Sequence, residues 1–221
     1  MAFNVAIDGP AGAGKSSIAR AAAKELGFIY VDTGALYRAV GVYGLRNGVD
    51  NKNADAVASM LPNISVELKF QDGVQHVYLN GEDVSKEIRT PPASMAASDV
   101  SAVPAVRQFL FDLQRDIAAK NDCIMDGRDI GTVVLPNAQV KIFLTASPEA
   151  RAMRRYKELQ EKGAKDTYEK VLADLLQRDY NDSHRAVAPL KPADDSITVD
   201  NSGLSLEDSI EQVLSVIRAA L

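Results

Sequence analysis

The sequence predicts an α/β fold built on an open, five-stranded parallel sheet. Three observations carry that prediction. Short apolar runs recur along the chain, each bounded by turn or cap residues. Segments of helical character separate them, and a glycine-rich loop stands between the first run and the first helix. Short continuous apolar runs suit parallel strands covered on both faces. Their alternation with helices implies right-handed crossovers.

The strand candidates are Phe3–Ile7, Phe28–Val31, Cys123–Met125, Val140–Leu144 and Ile197–Val199. The first runs into Asp8-Gly9-Pro10, the second into Asp32-Thr33-Gly34, and the third is held between Asp122 and Asp126. A helix is expected over Lys15–Leu26, which is Ala-rich and stopped by Gly27. Ala35–Arg46 follows, ending before Asn47-Gly48. Val103–Lys120 carries apolar residues at 106, 109, 110, 113 and 117, a helical period. Ser147-Pro148 is a cap followed by proline at the first helical position, opening a helix over 148–162. Ser205 through Asp208 reads as a capping start for the last helix.

One stretch breaks the rhythm. Ile64, Val66, Leu68 and Phe70 alternate with polar residues, Asp72-Gly73 marks a turn, Val74–Leu79 follows, and Asn80-Gly81 marks another turn. This predicts a small antiparallel meander inserted at about 63–95 in a single domain spanning 1–221, with the core formed by 1–62 and 96–221.

Composition narrows the class. The chain has 221 residues and 46% hydrophobic content, enough to bury a core without staples. One cysteine, Cys123, excludes an internal disulfide framework, and with only His76 and His184 a zinc enzyme is not expected. No run approaches the ~18 apolar residues of a membrane span, and the N-terminus lacks the basic region of a signal peptide. A cytoplasmic protein is expected. The net charge of −5 argues against nucleic-acid or anionic-membrane partners. Within it, residues 151–191 hold ten Lys and Arg against seven Asp and Glu, either a solvated helical surface or a patch that meets a polyanion.

Gly9-Pro10-Ala11-Gly12-Ala13-Gly14-Lys15-Ser16 matches G-x-x-x-x-G-K-[ST] at every fixed position, after a strand and opening a helix. Its glycines let backbone amides turn inward around phosphate, and the helix N-terminus adds partial positive charge. Lys15 is placed to reach β- and γ-phosphates, and Ser16 to ligate Mg²⁺. An ATP or GTP site is therefore expected.

Arginines at the strand edges add to it. Arg38 follows the second strand and Arg128 the third, both on the sheet rim that bears the phosphate loop. There a guanidinium can clamp a second phosphate or form a surface salt bridge. Arg151, Arg154 and Arg155 share one helix face, meeting a bound anion or pairing with Glu158 or Glu161. Arg178, Asp182 and Arg185 share a face if that stretch is helical. Phosphoryl transfer is mostly positioning and charge stabilisation, and one well-aimed arginine can supply roughly 4–7 kcal/mol. Cys123, in an expected buried strand, reads as a core residue.

Together Ile7 through Ser17, Asp32-Thr-Gly-Ala-Leu-Tyr-Arg38, Asp126-Gly-Arg-Asp-Ile-Gly-Thr132 and Arg178 through Leu190 resemble the bacterial cytidylate kinase family. The likeness runs from about residue 3 to 217 and includes Gly81-Glu-Asp-Val-Ser85 and Glu87-Ile-Arg-Thr90 of the insert. The resemblance implies a P-loop nucleoside monophosphate kinase: a three-layer α/β/α core, a monophosphate-binding insert and a short lid at about 151–168. It implies transfer of the ATP γ-phosphate to CMP or dCMP with Mg²⁺, by a protein acting on small molecules; separately, no long apolar stripe or heptad run demands a partner, so monomer is the default. On the donor side it implies residues 9–17, that is Gly9, Pro10, Ala11, Gly12, Ala13, Gly14, Lys15, Ser16 and Ser17, with Arg154 and Arg155 in the lid. Arg38, Arg128 and Arg185 would hold the acceptor phosphate, with Thr33 and Tyr37 beside Arg38. Ser98, Arg107 and Asp129 would read cytosine, and Arg178 and Asp182 would hold the sugar. Lys15, Arg128, Arg154 and Arg185 would carry the catalytic charge. Two residues depart from the common pattern: Thr33 stands where many members have serine, and Ser17 where threonine is usual.

Three other readings stay in view. A kinase for UMP, AMP or shikimate would share the loop. A nucleotide switch would need an Asn-Lys-x-Asp motif, which Asn51-Lys52-Asn53-Ala54 fails to supply. A nucleic-acid-dependent ATPase would need a basic face interleaved with aromatics.

Overall fold

The computed structural model describes residues 2–71, 74–161 and 163–221. Five strands, β1 (Asn4–Asp8), β2 (Ile29–Asp32), β6 (Cys123–Gly127), β7 (Val140–Thr145) and β8 (Ile197–Asp200), form one sheet in the order β2-β6-β1-β7-β8. Strands β3 (Val66–Gln71), β4 (Val74–Leu79) and β5 (Glu82–Asp83) form a second, antiparallel sheet. Every expected strand is present and ends within two residues of its expected bound. The chain divides into two compact units, one made of residues 1–2 and 29–123, the other of 3–28 and 124–221.

In the second unit, β1 pairs in parallel with β7, and β7 with β8. Helix α1 (Lys15–Leu26) packs on α8 (Leu206–Arg218), and α6 (Pro148–Glu161) on α7 (Tyr168–His184). Gly27 ends α1 with φ +71, the left-handed backbone that favours glycine. Ser147 caps α6 by accepting from Ala150 N at 3.2 Å, and Ser205 caps α8 by accepting from Asp208 N at 3.0 Å. Ala11, Ala152, Val171 and Leu175 form a small buried cluster that ties α6 and α7 to the phosphate loop. Helix α7 stops at His184 because Arg185 takes extended backbone, so Arg185 leaves the helical face that Arg178 and Asp182 share.

The first unit holds α2 (Thr33–Arg46), α3 (Ala54–Met60), α4 (Pro91–Ser101), α5 (Pro104–Lys120) and the meander. Helix α2 starts two residues before its expected bound because the Asp32 side chain accepts from Ala35 N at 3.1 Å, which draws Thr33 and Gly34 into its first turn. Helices α2 and α4 approach closely: a Cβ on Gly41 would lie 2.7 Å from that of Ala96. Leu36, Val40, Val66, Val77, Leu79, Ile88, Val100 and Leu110 fill the core between these elements. The Asn80-Gly81 turn has φ of 50° and 83°, the twist a two-residue hairpin requires. The Asp72-Gly73 turn lies outside the described residues, as does residue 162 of the expected 148–162 helix and 151–168 lid. Helix α4 crosses residue 95 without a break.

Candidate active site

The phosphate loop is built by close approach. Gly9 has φ +151, and a Cβ there would sit 1.9 Å from the Leu144 carbonyl oxygen. Gly12 and Gly14 have φ of 75° and 87°. Such a loop turns its amides inward toward an anion. Lys15, the first residue of α1, is buried, and its Nζ donates to the Pro10 carbonyl at 2.8 Å. Burial pulls its pKa down to about 7, and the adjacent Arg128 pulls the same way against Asp126, Asp8 and Asp182. Ser16 Oγ donates to Asp126 Oδ2 at 2.8 Å, while Ser17 lies exposed on α1.

Helix α6 holds the loop from behind. Arg151 is buried and donates to the carbonyls of Ala11 and Ala146, each at 2.9 Å, and to both oxygens of Asp179. Arg154 donates to Asn201 Oδ1 at 3.1 Å and to the Asn201 carbonyl at 2.6 Å. Asn201 Nδ2 in turn donates to the Ala13 carbonyl at 3.0 Å. Arg155 pairs with Glu158 at 3.1 Å. The shared face of Arg151, Arg154 and Arg155 thus separates into three different settings. Of these, Arg151 serves the fold and Arg155 takes the glutamate partner that its spacing offered.

Beside the loop lies an alternating set of charges in the same unit. Arg128 Nε donates to Asp182 Oδ2 at 2.8 Å. Burial opposes the Arg128 charge, but Asp182, with Asp126 and Asp8, outweighs it and raises its pKa. Asp182 is held below the usual carboxylate range: burial works against this, and Arg128, Arg178 and Arg185 overcome it. Arg185 Nη2 donates to Asp129 Oδ1 at 3.1 Å, with both side chains nearly buried. Asp8, at the end of β1, accepts from the backbone amides of Ile130 and Gly131.

In the first unit, Asp32 organises the rim. Its Oδ2 accepts from Arg38 Nη2 at 2.7 Å and from Arg89 Nη1 at 3.3 Å, and its backbone amide donates to Gln75. Among the described residues, Arg38 Nε is buried without a hydrogen-bond partner, a donor available to an anion. Thr33 opens α2 and is buried. Arg107 lies over the Tyr37 ring at 5.8 Å and donates to the Ser101 carbonyl, while Ser101 Oγ donates to that of Ser98.

Five residues of this arrangement were not singled out from sequence: Asp8, Asp126, Asp179, Asn201 and Arg89. Asp8 and Asp126 carried a signal, since each is a carboxylate at the carboxyl end of a strand. Asp179 and Asn201 carried none, because their partners lie 28 and 47 residues away in the chain.

A family model for cytidylate kinase matches residues 5–219. A cytidylate kinase of Caldicellulosiruptor saccharolyticus is 48% identical over 214 residues, covering 97% of this chain and 95% of that protein. One from Lactobacillus johnsonii is 47% identical over 216 residues, covering 98% and 94%. Among solved structures, an uncharacterized protein from Eubacterium ventriosum shares the fold at a TM-score of 0.56 and 11% identity, covering 98% of this chain and 99% of that one.

Proposed function

The chain belongs to the cytidylate kinase family, and from that premise we infer that it transfers the γ-phosphate of ATP to CMP or dCMP, giving ADP and CDP or dCDP. Near-complete coverage at 47–48% identity is the observation that carries this reading. No helix among the described residues is long and apolar enough to cross a membrane. The working protein is proposed to be a cytoplasmic monomer, with residues 63–95 as its monophosphate-binding insert and 151–168 as its lid.

On the donor side, residues 9–17 would surround the ATP phosphates, all but Pro10 offering a backbone N–H, and Lys15 would exchange the Pro10 carbonyl for phosphate oxygens. The Ser16 hydroxyl and Asp126 carboxylate, 2.8 Å apart, are hard oxygen donors of the kind Mg²⁺ takes beside phosphate oxygens and water. Mg²⁺ held there would neutralise charge developing on the β- and γ-oxygens. Arg154 would stay on the donor side, and Arg155 would exchange Glu158 for nucleotide.

On the acceptor side, the Arg38 Nε, buried and without a partner among the described residues, supports its role toward the CMP phosphate. Arg128 and Arg185 each carry a carboxylate partner that fixes their orientation before substrate binds, which supports the same role for them. Asp129 would accept from the cytosine amino group, Arg107 and Ser98 would complete base reading, and Arg178 and Asp182 would hold the sugar. Thr33 and Tyr37 would line the Arg38 side.

The test is ADP formation from Mg-ATP with CMP, dCMP, UMP, AMP, GMP or shikimate, and without acceptor. Turnover strongest with CMP and dCMP and near zero without acceptor is expected. A stronger response to another acceptor would displace the cytosine assignments while leaving the donor side intact.

A further inference from the structure

Asp8 is a buried carboxylate to which phosphoryl transfer, as described so far, gives no task. It ends β1 one residue before Gly9, and its two oxygens accept from two successive amides. Oδ1 takes Ile130 N at 2.8 Å, and Oδ2 takes Gly131 N at 2.7 Å. Those amides follow directly on Arg128 and Asp129. The chain then winds through a π-helical turn over Ile130–Val134, closed by Leu135 N to the Ile130 carbonyl at 2.7 Å. Such turns are rare and concentrate at functional sites.

A carboxylate is a costly choice at this position. Burial pushes its pKa up to about 6 in spite of the two amide bonds, with Asp129 adding like charge and Lys15 opposing it. Asparagine would avoid the charge but has one acceptor oxygen, and its NH₂ would face the second amide donor. Only the carboxylate satisfies both amides. Gly131 leaves little slack: a Cβ there would lie 3.4 Å from Asp8 Oδ2 and 3.3 Å from the Lys141 stem.

We propose that Asp8 is a positioning residue for the acceptor: by gripping the Ile130 and Gly131 amides it fixes the turn that presents Arg128 and Asp129 beside the phosphate loop. The proposal rests on the reading of Arg128 and Asp129 as acceptor-side groups. In this role Asp8 acts through the turn, its two oxygens being taken by the Ile130 and Gly131 amides. Releasing one amide lets the turn drift, and a displacement on the order of 1 Å at a positioning group can cost up to about 100-fold.

The experiment compares Asp8→Asn and Arg128→Ala with the unaltered chain, measuring KM for CMP, KM for ATP and kcat. Asp8→Asn is expected to raise KM for CMP about tenfold or more while KM for ATP stays within about twofold. An unchanged KM for CMP, or equal rises for CMP and ATP, overturns the proposal. If Arg128→Ala leaves KM for CMP unchanged, the acceptor-side reading has failed instead. Should Asp8→Asn not fold, the unaltered chain still decides by NMR. In the substrate-free chain the amide protons of Ile130 and Gly131 are expected to titrate together near pH 6, and the amides of Arg128 and Asp129 to shift with the same midpoint. The charged groups facing Asp8 are Lys15 from α1, Arg128 and Asp129 before the turn, and Lys141 from β7, whose stem packs at Gly131 while its ammonium pairs with Asp195. Amides that do not titrate together overturn the proposal.

Discussion

Arg151 grips Asp179 through two bonds, Nη1 to Oδ1 at 3.2 Å and Nη2 to Oδ2 at 2.6 Å, and its Nη1 also holds the Ala11 carbonyl of the phosphate loop at 2.9 Å. One buried guanidinium therefore joins α6, α7 and the loop. Arg151→Met removes the charge while keeping much of the packing volume. It leaves Asp179 and two carbonyls unpartnered, and a stability loss of about 2–4 kcal/mol is expected. Asp179 is 23% exposed, which favours the lower end. Arg151→Lys keeps the charge but loses the planar fork, so an intermediate loss is expected. Urea unfolding with an unchanged m-value checks both, and a loss under about 0.5 kcal/mol for Arg151→Met would mean that water replaces these bonds.

Lys15 links binding to pH. Its pKa of about 7 in the free protein arises first from burial, then from Arg128. Phosphate oxygens at its ammonium favour the charged form, so ATP binding raises that pKa. At pH 8 the free side chain is mostly neutral, and binding is expected to take up most of one proton. Affinity falls as pH rises above about 7 and levels off once the pH passes the bound-state pKa. Calorimetry in two buffers of different ionisation enthalpy reads the uptake directly. A value near zero would show that Lys15 is already charged before ATP arrives.

Asp129 and Arg185 are paired at 3.1 Å, so the proposed base reader and phosphate holder orient one another. Asp129→Ala removes the acceptor for the cytosine amino group and is expected to lower kcat/KM for CMP more than for UMP, narrowing their ratio about tenfold or more. Because Arg185 loses one of its partners in the same variant, some loss with UMP is also expected. Equal losses with both acceptors would mean that Asp129 acts only through Arg185.

Much of the layout was legible because local chemistry and fold agree. Lys15–Leu26 is bounded by a motif and by Gly27, and each apolar strand run ends in residues that cap or turn. Helix α4 was missed although Thr90 caps it and proline opens it, because Ala93, Ala96 and Ser98 present no strong apolar period. Of these, Ala96 meets Gly41 in the close approach of α2 and α4, a tertiary reason that periodicity does not report. The phosphate loop was legible as a contiguous motif. The residues that brace it were not: Arg151 was visible only as a charge on a helix face, and whether that charge meets an anion or Asp179 depends on how α7 returns to α6. Arg185 shows the same limit: it shares a face with Arg178 and Asp182 only if the helix reaches it, and α7 ends one residue earlier.

Ser16 and Asp126 supply the last prediction. Their 2.8 Å hydrogen bond joins the start of α1 to the end of β6, within one unit. If both act through one Mg²⁺ ion, their effects cannot be independent. Ser16→Ala and Asp126→Asn should each lower kcat by about 100-fold and raise the Mg²⁺ concentration needed for half-maximal rate. The double variant should be little worse than either single one, because residues acting as a unit are non-additive. Measuring rate against free Mg²⁺ at saturating ATP and CMP decides it. Additive losses with an unshifted Mg²⁺ requirement would instead make the pair a structural tie between α1 and β6.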